Sequence, residues 1–374
     1  MLIVLLGAGF AVDAALASLL QLYLAESASR PIFISLAMSL RYAGVLVGSV
    51  LWGRLFDTLR TSKLLILLFA ATGLAVGVLV IRPPAWGALC IALAAALALS
   101  GLAPVAIALG AGGSRPDARG RRVSLFSTAR SVGMMIGGAL AGILLQSVGY
   151  AWSFALLALT PLVAVGVLLP LRLPSQAAVG LHRQSLRSLL ASNLWGLYLG
   201  VMLRQMATAG GLSMVLAYML SMGIPPATIG IVSASRFLLE VLSMYPFGWM
   251  ADRIGRRPVL LIGFGGSVLA PLFFALSGGL AALTVGFVVA GVGFGALYVA
   301  SIAHIGDLVP RDRHGSMLGL FESIRGLGGI LGPILAGLTI PLLGYRGMFL
   351  VMAGTAAIGT LLVLSCPRAR TVTA

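Results

Sequence analysis

Charge is what this chain has least of. Only 9% of its 374 residues are charged, and acids are the scarcer sign, 9 Asp+Glu against 25 Lys+Arg. A soluble domain needs a charged surface, and a composition with 60% apolar residues, 49 glycines and a mean hydropathy of +1.08 cannot supply one. The chain therefore reads as a membrane protein. Lysine is nearly absent as well: the one lysine, Lys63, is followed by Leu64, which excludes the phosphate-binding loop of a nucleotide hydrolase and a Schiff-base lysine deep in a span. His182, His304 and His314 fall in no HExxH pattern, and Cys90 and Cys366 lie on distant predicted spans, so no metal site, disulfide framework or cofactor is expected. An intramembrane enzyme has no residues to build on.

The apolar runs predict spans near 2–24, 32–52, 64–81, 86–110, 123–146, 151–170, 194–219, 226–248, 259–277, 280–304, 316–341 and 347–365. Each is close to the roughly 20 residues that cross a bilayer, so the membrane part is expected to be the whole protein. The first run has no basic segment before it and carries Asp13 in its middle, which suits a span better than a secretory signal. A net charge of +16 would suggest nucleic acid in a soluble protein, so the placement of the charge decides. Five arginines fall inside spans and only Arg30, Arg82 and Arg346 fall in outer connections; the rest of the 25 basic residues lie on the side of the N-terminus. This positive-inside bias puts both termini in the cytoplasm of a multi-pass cell-membrane protein and leaves nucleic-acid binding without support.

Shifted by 195 residues, the sequence matches itself: Tyr23 meets Tyr218, Arg41 Arg236, Gly53 Gly248, Asp57 Asp252, Arg130 Arg325, Gly133 Gly328, Gly137 Gly332, and Gly149 Gly344. One constant offset means two copies of a six-helix unit, and six being even, the copies run parallel. The expected fold is an all-α membrane protein of twelve transmembrane helices in two parallel six-helix repeats. Its divisions are an N-terminal bundle over 1–170, a cytoplasmic linker over 171–193 and a C-terminal bundle over 194–374.

Residues 248–258 read GWMADRIGRRP, and Gly248, Asp252, Arg253, Gly255, Arg256 and Arg257 give G-x-x-x-D-R-x-G-R-R between the second and third helices of a half. With two six-helix halves and a basic central loop, the chain resembles the major facilitator superfamily of secondary transporters over essentially its whole length. The first copy keeps Gly53 and Asp57 but has Thr58 and Arg60 where the second has Arg253 and Gly255. GLGGILGPILAG, residues 326–337, also looks like the Gly-Pro motif of the family's drug antiporters, although that motif belongs to the fifth helix, where this chain has GMMIGGALAG without the proline. The resemblance implies rocking of two halves around a midplane site, with the two loop motifs as a conformational latch. Asp252 would then sit near the cytoplasmic start of helix 5 and Asp57 at that of helix 11, where the positive ends of the helix dipoles favour a carboxylate.

An arginine at mid-helix costs about 2.5–3.5 kcal/mol on insertion scales, so Arg41, Arg130, Arg204, Arg236 and Arg325 must face protein or water. These five are the substrate-cavity candidates, and the acids Asp13, Glu240 and Glu322 are the proton-coupling candidates. Helices 3, 6, 9 and 12 carry none of them, as the outer scaffold of that family would not. Residues demanded by the fold should recur in both halves. Arg41 with Arg236 and Arg130 with Arg325 do, and each could hold structure or line the cavity. Asp13, Arg204, Glu240 and Glu322 align with Thr208, Gly9, Val45 and Ser127 and are the stronger functional candidates. Asp13, about 11 residues from either end of its span, is either the proton-coupling carboxylate or the permanent partner of Arg41. Glu240 and Glu322 share helix faces with Arg236 and Arg325 and are expected to pair locally; the family's packing of helix 5 on helix 8 also suggests a contact of Glu240 with Arg130 in one access state. Five arginines against three acids leave two positive charges in excess, which favours an anionic or zwitterionic cargo.

The expected function is proton-coupled export of a small organic compound by alternating access. Proton-coupled uptake of a small organic anion is the alternative, and a channel is a more distant one. Partners are the cargo, protons and the lipid bilayer, with the protein a monomer.

Overall fold

A computed structural model describes residues 1–27, 30–58, 61–111, 116–170, 195–308 and 314–365, and these are helical almost throughout. In lipid every backbone polar group must be satisfied within its own segment, which a chain rich in Leu, Ala, Val and Gly achieves by continuous helix. The first repeat supplies α1 (Leu2–Ser27), α2 (Ile32–Thr58), α3 (Thr61–Val78), α4 in two stacked segments (Ala85–Leu99 and Leu102–Ala111), and α5 and α6, which occupy 116–148 and 150–168 of one continuous stretch. The second supplies α7 (Trp195–Ser221), α8 (Pro226–Ile254), α9 (Arg256–Ala275), α10 (Leu280–Leu308), and α11 and α12 at 314–343 and 345–365. The protein is thus an all-α membrane protein of two six-helix repeats. The predicted linker over 171–193 lies outside the described residues.

The repeat is visible in the backbone. The corner between α5 and α6 turns at Gly149 with φ +73°, and the corner between α11 and α12 turns at Gly344 with φ +67°, a left-handed conformation that only glycine adopts without strain. A Cβ at Gly137 would overlap the Ala11 carbonyl oxygen, and one at Gly332 would overlap that of Met206, 195 residues further on in both partners. The same holds for Gly133 on Gly7 and Gly328 on Met202. Backbone-to-backbone packing of α5 on α1, and of α11 on α7, is therefore the duplicated core of each repeat, and only small residues permit it. A third contact keeps its shape while exchanging its residues. Gly48 of α2 receives Ser100 of α4, whereas Ser243 of α8 fills the space at Gly295 of α10.

Two details depart from the predicted spans. The break in α4 at Ser100 and Gly101 precedes Pro104, whose ring cannot continue the hydrogen-bond ladder. The predicted span ending at 248 continues as α8 to Ile254, and α2 continues to Thr58, so Gly53, Asp57, Gly248, Asp252 and Arg253 of the repeated motif lie on helix rather than loop. Helix propagation outlasts the apolar run because the polar turn beyond it can still close i→i−4 hydrogen bonds. The chain reverses at Gly255 alone, with φ +96°.

The described residues form one compact unit of residues 1–170 with Leu216–Phe237 and a second of residues 195–215 with 238–365, so α7 and α8 each contribute to both. Within the first unit, Gly142 of α5 lies against Gly230 of α8, and the Gln146 carboxamide oxygen accepts from the Ala227 N–H at 3.0 Å, capping the start of α8. In the second, Tyr198, Phe264, Leu297 and Phe321 form the apolar core.

Candidate functional site

In the first unit, Asp13 of α1 and Arg41 of α2 form an ion pair. The Arg41 Nη2 donates to Asp13 Oδ1 and, at 3.2 Å, to the Asp13 backbone carbonyl. Both side chains are mostly withdrawn from solvent, 12% exposed for the arginine and 25% for the acid. At this burial a single charge left alone is costly.

The second unit carries a different arrangement. Arg325 of α11 donates to both carboxylate oxygens of Glu322, at 2.7 and 2.8 Å, so the expected local pair is formed. Its guanidinium lies 5.5 Å from the ring centroid of Phe294, 5.7 Å from Tyr298 and 5.8 Å from Phe321, within cation–π range of all three. Arg204 of α7 faces the same Phe294 ring at 5.6 Å. Its Nε donates to the Ser267 hydroxyl of α9 at 2.7 Å and its Nη1 to Gln205 Oε1 at 3.3 Å. At 1% exposure Arg204 is enclosed by α7, α9 and α10, beside a cavity with room for about one water molecule, lined also by Thr208 and Pro271. One ring, Phe294, is thus within cation–π range of two guanidiniums, a connection that nothing in the sequence spacing announces. Glu240 of α8 is buried at 5% exposure on the face that meets Gly295 of α10.

Arg236 lies over the ring of its neighbour Phe237 at 4.8 Å. Arg130 of α5 is exposed, and among the described residues no hydrogen bond or ion pair reaches it. At the loop motif, Arg256 bridges two acids: Nη1 donates to Asp252 one turn back on α8, and Nε donates to Asp307 Oδ2 at the end of α10 at 3.2 Å. Arg253 lies over the Trp249 ring at 4.0 Å, and Arg257 Nη2 donates to the Leu364 carbonyl at 2.8 Å. The motif therefore staples the ends of α8, α9, α10 and α12. Asp307 and Leu364 were missed in the sequence because neither has a fixed spacing to the motif. Gly53 and Asp57 lie on α2, their side chains outside the described residues. Among the described residues no group of histidine, cysteine and acid residues could hold a metal.

The Major Facilitator Superfamily profile matches the sequence twice, over residues 1–220 and 197–373. The chain belongs to the major facilitator superfamily. That is a family of membrane transporters rather than enzymes, and membership agrees with a multi-pass protein of helices long and apolar enough to cross a bilayer. The fold is similar to a bacterial homologue of the human lysosomal transporter Spinster, in an inward-facing and unoccupied crystal structure, with a TM-score of 0.81 at 12% identity over 97% of this chain and 94% of that one. Among curated proteins it is similar to the Triacylglyceride transporter of Mycobacteroides abscessus, 31% identical over 44% of this chain and 33% of the relative. Citrate exporter 1 of Aspergillus niger is 32% identical over 32% of this chain and 23% of the relative. The Putative multidrug resistance protein MdtD of Escherichia coli is 28% identical over 38% and 31%. The aligned stretches span between about a quarter and a third of the length of these curated relatives.

Proposed function

We propose that this protein is a proton-coupled secondary transporter that exports a small organic compound by alternating access. The observation that carries the coupling is the Asp13–Arg41 pair, an acid near the middle of α1 held by a cation of α2. Protonating Asp13 cancels its charge and releases Arg41, so proton uptake and rearrangement of α1 against α2 become one event. Export is favoured by likeness to relatives named as an exporter and a multidrug resistance protein. The positive-inside bias places both termini in the cytoplasm, and the Asp252–Arg256–Asp307 staple then lies on the cytoplasmic side, where its making and breaking would set the access state. The working unit is a monomer of two halves joined by the linker at 171–193.

Proton-coupled uptake of an organic anion is the second reading, supported by the excess of arginine over acid within the spans. The test is a solute screen in proteoliposomes under an imposed pH gradient. Saturable flux that follows the gradient, with outward cargo and inward proton movement, is the expected result; gradient-independent conductance would mean a channel instead.

A further inference from the structure

Positions 130 and 325 are equivalent in the two repeats, yet their surroundings are opposite. Arg325 is answered by its own Glu322 and by the rings of Phe294, Tyr298 and Phe321. The ring of Phe321 recurs as Phe126, whose side chain lies outside the described residues, but the first repeat has Ser127 for Glu322, Leu99 for Phe294 and Ala103 for Tyr298. None of Ser127, Leu99 and Ala103 can neutralise a guanidinium or present it with an aromatic face. Arg130 accordingly stands exposed within the apolar part of α5, with no hydrogen bond or ion pair among the described residues.

The direction of Arg130 follows from the rotation of α5. Gly133 and Gly137 mark the face packed on α1, and Gly138 and Gly142 the face toward α8. At 100° per residue, Arg130 falls on the arc between those two faces. Of the exposed apolar residues of α5, Leu125, Val132, Ile136, Leu140 and Ile143 lie on another side of the helix, centred roughly 130° away from Arg130, while Val148, at the far end of the helix, shares its side. That apolar stripe is the lipid face, so the arginine is exposed to water rather than lipid.

We propose that Arg130 receives the carboxylate of an organic-acid cargo, an assignment that rests on the transporter reading above. A planar monoanionic group matches one guanidinium in a two-oxygen arrangement, whereas a phosphate dianion would call for a second cation. The second repeat contains a related pair in internal form: Glu322 lays both oxygens on the Nη1 of Arg325. Among the described residues, one member of a duplicated cation is thus neutralised and the other is open.

The experiment is thermal stabilisation of the purified full-length protein by succinate, citrate and p-aminobenzoate, with succinamide as the uncharged control, all at fixed ionic strength. At least one carboxylate should stabilise the wild type while succinamide does not. Arg130→Gln should weaken that effect at least tenfold and Arg130→Lys less. Ser127→Glu, which recreates the second repeat's pair in the first, should mimic Arg130→Gln while unfolding at the wild-type temperature without ligand, separating loss of binding from loss of fold. Stabilisation undiminished in both Arg130→Gln and Ser127→Glu overturns the assignment, as does the absence of stabilisation by every carboxylate. Proton-coupled flux of a cationic dye such as ethidium that persists in Arg130→Gln would overturn it while leaving the transporter reading intact; absence of coupled flux of any solute in the wild type would fail that reading itself.

Discussion

The two repeats share a skeleton and differ in their charges. Glycines 133 and 137 meet the backbone of α1 as glycines 328 and 332 meet that of α7, and the corners at Gly149 and Gly344 have the same left-handed turn. Against this constancy, the first repeat holds an acid on α1 paired across to α2, while the second has Thr208 at that place and carries the acids within its spans on α8 and α11, with Arg204 added on α7. Duplication thus separates close backbone packing, which both copies keep, from the charges, in which they have diverged.

The largest expected effect falls on the paired acid of the first repeat. Asp13→Asn leaves Arg41 charged and uncompensated, and should cost about 3 kcal/mol in a denaturant titration in detergent. Glu322→Gln, its counterpart in the second repeat, removes an acid already 52% exposed and should cost less than about 1 kcal/mol. Equal costs would erase the proposed difference between a withdrawn pair and a solvated one. Next come the shared contacts: Gly137→Ala and Gly332→Ala should each destabilise by about 1–3 kcal/mol, because neither added methyl has anywhere to go but into a carbonyl oxygen. Tolerance of one and not the other would show that the duplicated packing carries different loads. The smallest stability effect should come from Asp252→Asn, since that acid is 72% exposed. Its melting point should stay near wild type while inter-spin distances across the labelled cytoplasmic ends shift away from the outward-facing state; unchanged distances would remove the latch role.

Much of the fold was legible because lipid simplifies the rules. Apolar runs of span length gave the helices, the constant offset of 195 residues gave the repeat, and the i, i+3 spacing gave the Glu322–Arg325 pair. The extents of α2 and α8 were less legible, since hydropathy reports where the bilayer ends and not where the hydrogen-bond ladder does. Hidden altogether was the setting of Arg204, whose contacts Ser267 and Phe294 come from α9 and α10 and depend on how those helices are rotated. Asp307 joined Arg256 for the same reason: proximity of two helix ends is a tertiary fact with no spacing in the chain to betray it. Asp13 stood between two readings in the sequence. Its pairing with Arg41 is now seen, and a paired acid can still carry the proton if protonation is what opens the pair.

Internal pH of proteoliposomes during cargo exchange, compared between wild type and Asp13→Asn, tests proton coupling through Asp13 most directly. The expected result is cargo-dependent proton movement in the wild type and its loss in the variant, with cargo exchange at equal pH retained. Proton movement of the same size and pH dependence in Asp13→Asn would contradict it.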